Sequence, residues 1–406
     1  MESKCKDDGL TRRGFIRTLG IGGMAASTLA APAVMAQAPP AGQAATIPRR
    51  KLGKTGLLVS SLCLGGMFDT VNNQLLLRQA QAWGINLWDT AWGYGNGLSE
   101  EGFGRYFSRT PTARKEIVVI TKNSPGTPDF QADNLGKALK RLNTDYVDVF
   151  CNHGLADMKP FTPEVKDWVA REKQAGRMKF FGFSTHTNME DCLLAASRLG
   201  WIDVILFTYN YRLMHTPKMK EAVAACVNAG IGLVAFKSQG GGPVKVDSEA
   251  ELQLAGRFLQ RGFTDRQARL KAIWENPDIA SICSQMPSLA ILSANVAAAR
   301  DLTALSQNDR ELFARLSADT RSSYCAGCGR ICQAAVGGKV PVQDVMRCLM
   351  YYKDYGDRDL ARSVFAGLPE SARRVMGRID YGPAENACPH GLAIADLMRE
   401  AETLLA

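Results

Sequence analysis

Eight short apolar runs, each followed by a longer amphipathic segment, occupy the chain from Leu58 to about residue 290. The runs are Val59–Leu64, Ile85–Asp89, Ile117–Lys122, Val147–Asn152, Lys179–Phe183, Val204–Phe207, Leu233–Phe236 and Ile279–Ser284. Between them, apolar residues recur at helical spacing over Gln74–Trp83, Asp133–Leu142, Glu164–Ala175 and Lys218–Ala229. Strands alternating with helices predict a parallel sheet, because parallel neighbours need a crossover that a helix supplies. Eight such repeats predict closure into a (β/α)8 TIM barrel. An open doubly wound sheet would place a glycine-rich phosphate turn after its first strand. Leu64-Gly65-Gly66-Met67 is too short for that fingerprint.

A closed barrel concentrates chemistry just past the C-terminal ends of its strands. Asp89 ends the second run, Tyr94 follows in its loop, Lys122 ends the third and His153 follows the fourth. A structural ion pair accounts for Asp89 with Lys122, but not for Tyr94 and His153 as well. The four make sense together for reduction of a carbonyl, which needs a proton donor to the developing alkoxide. A tyrosine, with an ordinary pKa of about 10, is a poor acid near neutrality. A neighbouring Lys⁺ lowers that pKa by favouring the phenolate. Asp89 then holds and neutralises Lys122, and His153 orients the carbonyl or shares the proton.

Several motifs carry a family resemblance. Asp89-Thr-Ala-Trp-Gly-Tyr94-Gly, with Gly97-Leu-Ser-Glu100 after it, resembles the signature of the aldo/keto reductases. So do Leu52-Gly-Lys-Thr-Gly-Leu57, Arg141-Leu-Asn-Thr-Asp-Tyr-Val-Asp148 leading to His153, and Gly182-Phe-Ser184. The resemblance runs from about residue 49 to 303 and implies a small carbonyl or alcohol substrate. It implies Tyr94 as general acid/base, Lys122 and Asp89 as its tuning pair, and His153 as the carbonyl-orienting residue. It also implies NADP(H) or NAD(H), held after strands five to eight by Ser184, Phe236, Ser238, Gly240 and Asn295. Here the sequence departs from the family. Thr185 stands where Asn is expected. Leu206-Phe-Thr-Tyr209 lacks the usual Gln. Gln285-Met-Pro-Ser-Leu-Ala-Ile-Leu292 lacks the cation for a 2′-phosphate. Lys237-Ser-Gln-Gly-Gly-Gly242 remains as an anion-binding loop.

The chain has 406 residues, more than a barrel requires, and eleven cysteines. The tail contains Cys325-Ala-Gly-Cys328-Gly-Arg-Ile-Cys332 and, well downstream, Cys388-Pro389. Three close cysteines with a distant Cys-Pro are the ligands of one cluster in a two-cluster ferredoxin. Cys325, Cys328, Cys332 and Cys388 are thus expected to hold one [4Fe–4S] cluster. Bacterial ferredoxins separate the second and third ligands by two residues, and here three intervene. Zinc and disulfides are the alternatives. The extension resembles the ferredoxin-like tail of one aldo/keto reductase branch. A small, mainly helical domain is expected over 306–406, after a barrel over 48–305.

Thr11-Arg-Arg-Gly-Phe-Ile-Arg17 precedes a small-residue apolar run and Ala-Pro-Ala-Val-Met-Ala ending at Ala36. Residues 1–36 resemble a twin-arginine export signal, followed by a linker over 37–47. An arginine-bearing signal of the ordinary secretory route and a frayed helix are the alternatives. Export by the twin-arginine route predicts a periplasmic protein that folds with its cofactor first. The net charge of +9 is scattered rather than striped, with neither a nucleic-acid motif nor a membrane span in the mature chain. Two functions remain. One is an exported oxidoreductase, with a redox partner protein as a further expectation. The other is a binding or electron-transfer protein that uses the barrel as a scaffold without nicotinamide.

Overall fold

The structure is a computed structural model that describes residues 46–406. The expected export signal and all but the end of the expected linker lie outside those residues. Ten strands are present among the described residues, the first two forming a hairpin, β1 (Arg49–Lys51) and β2 (Leu58–Ser60). The other eight close a parallel barrel: β3 (Leu62–Gly65), β4 (Leu87–Asp89), β5 (Val118–Asn123), β6 (Val147–Asn152), β7 (Met178–Thr185), β8 (Val204–Thr208), β9 (Gly232–Phe236) and β10 (Ser281–Gln285). The ring shuts where β10 pairs with β3, Cys283 opposite Cys63.

One expected strand divides in two. The apolar run Val59–Leu64 is continuous in sequence, but the chain turns a corner at Ser60-Ser61. There the Ser60 amide donates to Asn86 Oδ1 at 2.7 Å and its hydroxyl to the Leu62 carbonyl at 2.7 Å. The motif Leu52–Leu57 is the hairpin's turn, and it plugs the N-terminal end of the barrel. Leu52 is buried in the inner barrel core with Leu87, Ile120, Val149 and Val234. The amide of Lys54 donates to the Gly230 carbonyl at 2.7 Å. These residues serve closure, not chemistry.

Three crossover helices start alike. Pro128–Leu142, Pro163–Gln174 and Pro217–Asn228 each follow a threonine whose hydroxyl accepts from the third helical residue, Phe130, Val165 or Met219. Threonine satisfies an orphan amide, and proline gives up an N–H that has no partner there. The helix Leu98–Arg109 packs closely on Pro128–Leu142 through Gly104, where a methyl group would meet the Arg141 carbonyl.

After β10 the chain is helical. Gln307–Asp319 packs Leu312, Phe313 and Leu316 against Leu254 and Phe258 of the barrel-side helix Glu249–Gln260. The helices Gly329–Ala335, Val342–Lys353, Arg358–Ala366 and Ile394–Leu405 share a separate core around Val345, Leu349, Phe365, Leu397 and Met398. Among the described residues no helix is long and apolar enough to cross a membrane.

Gly104→Ala is expected to lower stability by about 1–3 kcal/mol through overpacking. A denaturant midpoint unchanged from wild type would contradict this close packing.

Candidate active site

Asp89, Tyr94, Lys122 and His153 meet at the C-terminal mouth of the barrel. Lys122 Nζ lies 2.6 Å from Asp89 Oδ1, with both side chains almost wholly buried. The same ammonium donates to the Thr90 carbonyl at 2.8 Å and to the Tyr94 hydroxyl at 3.3 Å. The His153 ring stands edge-on to the Tyr94 ring, with centroids 5.8 Å apart.

The loop carrying Tyr94 is braced from beneath. Thr90 donates to the Ser99 hydroxyl at 2.7 Å, and Ser99 to the Gly66 carbonyl at 2.7 Å. Glu100 is fully buried, accepting from Thr121 at 2.5 Å and from Arg141 at 2.6 Å. The signature residues Ser99, Glu100 and Arg141 therefore position the tetrad and take no part in it.

Electrostatics sharpen the roles. Burial pushes the Tyr94 phenol above its ordinary range, and Lys122 opposes this without overcoming it, while Asp89 adds to the rise. The sequence expectation that Lys122 lowers the phenol is thus reversed in net effect. Burial is the largest single influence on Lys122 and would depress it, but Asp89, Tyr94 and Cys283 together outweigh burial and keep the ammonium charged. His153 is pushed down to about 3, first by burial and then by the charges of Lys122, Arg347 and Lys237. The site therefore holds a protonated phenol, a fixed ammonium and a neutral imidazole. Such a set donates a proton and a hydrogen bond to one oxygen.

Residues 62–293 match the pattern of the aldo/keto reductase family. The chain belongs to that family. It is 27% identical over 295 residues to L-galactose dehydrogenase of Arabidopsis thaliana, covering 66% of this chain and 92% of that one. It is 29% identical over 234 residues to aldo-keto reductase AMT2 of Alternaria alternata, covering 46% of this chain and 63% of that one. Several of the curated relatives are thus matched over slightly less than two-thirds of their length. The fold is shared with aldo-keto reductase AKR11C1 of Bacillus halodurans in its holo form, at 21% identity and a TM-score of 0.54, covering 66% of this chain and 96% of that one. It is also shared with the thermostable aldo-keto reductase Tm1743 bound to the inhibitor epalrestat, at 23% identity and a TM-score of 0.55, covering 66% and 99%.

Aldo/keto reductases generally use NADP(H) or NAD(H), so the five residues expected to hold the dinucleotide matter. Ser184 accepts from the Gly154 amide at 3.0 Å. Phe236 is covered by the His186 ring, with centroids 4.5 Å apart. Ser238 is buried. The Gly240 carbonyl accepts from Arg212 at 2.8 Å. Asn295 donates to the Ser284 hydroxyl at 3.1 Å.

The four tail cysteines fare differently. Cys325, Cys328, Cys332 and Cys388 line one largely apolar pocket with Ile331, Val342, Met346 and Leu392. Cys328 caps the helix Gly329–Ala335, Cys332 lies within it, and Cys388 ends the helix Gly382–Ala387. All ten described cysteines are free thiols. His390 lines the same pocket. Several residues at the barrel mouth gave no signal in sequence: Asn210, Tyr324, Arg347 and Tyr351. Nothing in their local pattern marks them, because their positions come from docking of the tail.

The histidines have a pH consequence. The unfolded chain's His153 takes up a proton near pH 6.5, whereas the folded one does so only near 3. Between those values the unfolded state binds more protons, so stability falls as pH drops below about 6.5. His153→Asn is expected to flatten part of that fall in melting curves from pH 7 to 4. Identical slopes for the two proteins would contradict a buried, neutral imidazole.

Proposed function

We propose that this protein is an exported oxidoreductase that interconverts a small carbonyl compound and its alcohol, with one [4Fe–4S] cluster in its tail. The observation that carries the catalytic part is the placement of Lys122 between Asp89 and Tyr94, at 2.6 Å and 3.3 Å. A nicotinamide dinucleotide, the family's usual cofactor, would supply the hydride to the carbonyl carbon, and as that carbon is reduced charge grows on its oxygen. The Tyr94 phenol gives that oxygen its proton. An alkoxide is a far stronger base than a phenolate, so the transfer runs downhill even from a phenol raised by burial. The phenolate left behind is stabilised by the Lys122 ammonium. Asp89 fixes that ammonium and balances its charge. Neutral His153 offers an N–H to the same oxygen and sets the face of the carbonyl. Alcohol oxidation runs through the same groups in reverse.

Four cysteines around one apolar pocket support an iron–sulfur site. Such a cluster would accept and release single electrons, and a redox partner protein fits that role. The twin-arginine pattern of residues 1–36 supports a periplasmic location. The lack of a cation over Gln285–Leu292 supports a second reading, in which the barrel is the scaffold of a binding or electron-transfer protein that does not use nicotinamide.

Tyr94→Phe is expected to lower turnover of a panel of small aldehydes and ketones by roughly 10²–10⁴-fold, with an unchanged melting temperature. Full activity in that variant would remove Tyr94 as the acid. Anaerobically purified protein is expected to hold about four irons per chain and to show broad visible absorption that dithionite bleaches. Cys388→Ser should lose both signatures, and a colourless zinc protein would defeat the cluster.

A further inference from the structure

The segment from Thr320 to Tyr355 roofs the barrel mouth on the side of β8 and β9. Asn210 donates to the Tyr324 hydroxyl at 3.0 Å, and Arg212 to the Thr320 carbonyl at 3.3 Å. Beneath the roof is a recess walled by His186, Thr208 and Lys237 from the barrel, and by Gln343, Met346 and Arg347 from the helix Val342–Lys353. Thr208 ends β8, Lys237 follows β9, and His186, just after β7, lies within electrostatic reach of His153 and Lys122. The expected dinucleotide anchors Ser184, Phe236 and Ser238 come from the ends of β7 and β9 as well. The recess therefore belongs to the dinucleotide, and its polarity tells which part of that molecule it suits.

Both cations in the wall are engaged. Lys237 donates to the Tyr351 hydroxyl at 2.6 Å, and Arg347 pairs with Asp344 at 2.8 Å. What is left unmatched is neutral. His186 Nδ1, Thr208 Oγ1 and Gln343 Oε1 are buried without a hydrogen-bond partner, a state in which buried polar groups are seldom left. Burial, then Lys237 and Arg347, hold His186 well below its ordinary range, so its imidazole carries no charge. The Gln343 oxygen can only accept, because its own NH2 is taken by Asp344 at 3.2 Å. Thr208 can donate or accept, and the imidazole nitrogen does one or the other. A carboxamide, with two N–H donors and one carbonyl, complements such a set. An anion, which only accepts, would leave Gln343 unmatched. Nicotinamide carries one carboxamide. The barrel itself is short of amides here: Thr185 stands where Asn is expected, and Leu206-Phe-Thr-Tyr209 lacks the usual Gln. Gln343 returns an amide to this place from the tail.

We propose that Gln343 of the C-terminal domain accepts an N–H from the nicotinamide carboxamide, with Thr208 and His186 completing its hydrogen bonds, so that the dinucleotide site spans barrel and tail. This rests on the carbonyl-reductase reading, in which a nicotinamide dinucleotide is the hydride donor. The place of Gln343 is built in. A methyl group on Gly329 would meet its Cδ at 2.7 Å, so the glycine after Cys328 keeps open the space that the glutamine fills. Gly329 also begins the helix Gly329–Ala335, which carries Cys332. The residue that reads the carboxamide is thus wedged between the cysteine motif and the barrel mouth.

The test is calorimetric titration of the purified full-length protein with NADP⁺ and NAD⁺, each against its 3-acetylpyridine analogue, which keeps the carbonyl and has no N–H. Wild type is expected to bind the carboxamide form roughly tenfold or more tightly than the analogue. Gln343→Leu should remove that preference by weakening the carboxamide form alone, with the analogue bound as by wild type. Gln343→Glu, which keeps an acceptor, should retain part of it. Should Gln343→Leu not fold, Thr208→Val decides, since it should narrow the same preference. Equal binding of the two forms by wild type overturns the proposal, as does a preference that neither Gln343→Leu nor Thr208→Val reduces. Absence of binding by all four dinucleotides overturns it too and favours a barrel that works without nicotinamide. Tyr94→Phe should show the wild-type preference. That preference in a wild-type protein that turns over no carbonyl would defeat the reductase reading and leave the carboxamide site standing, whereas turnover without the preference would defeat the carboxamide site alone.

Discussion

Lys122 and Asp89 form an ion pair inside a closed barrel, and much of the site is arranged around it. Removing one partner from such a pair costs about 3–5 kcal/mol, because the other charge is left without compensation. The barrel meets this demand with geometry: the ammonium touches Asp89, the Thr90 carbonyl and the Tyr94 hydroxyl at once. The strand positions follow from it. Asp89 lies at the end of β4 and Lys122 near the end of β5, next to each other in the ring, so the pair spans one strand spacing. Tyr94 is then held over the ammonium by a loop whose own underside is tied down by Ser99 and Glu100.

Burial governs the acid more than the neighbouring cation does. From residue types alone, a lysine beside a tyrosine suggests a loosened phenolic proton. In the folded chain the phenol is desolvated, and this outweighs the lysine. The resulting site keeps its proton until charge appears on a bound oxygen. On the proposed mechanism, Lys122 acts on the product of the proton transfer, not on its starting state.

The fold was largely readable because the barrel repeats one local rule. Apolar runs separated by amphipathic helices specify each β/α unit, three of those helices opening on Thr-Pro, and the candidate catalytic side chains fall at strand ends where the fold requires them. The misreading of Val59–Leu64 as one strand shows the limit of pattern, since a corner at two serines leaves the apolar run intact. The roof of the barrel was illegible for a different reason. Arg347 and Tyr351 belong to an amphipathic helix whose sequence specifies a buried face and says nothing of the surface it docks on. Their partners, Lys237 and Asn210, are more than a hundred residues away in the chain. The cysteine pocket stands between these cases: its four cysteines were readable as a set, while the wall provided by Met346 and Leu392 was not.

The helix Val342–Lys353 serves two cavities. Val342 and Met346 face the cysteine pocket, and Gln343 and Arg347 face the recess at the barrel mouth, with Met346, Cys325 and Ala326 lining both. One rigid element shared by two sites makes their occupancies thermodynamically coupled, and such coupling is reciprocal. On the iron–sulfur reading, assembly of an inorganic centre would therefore be felt at the barrel mouth through a single turn of helix.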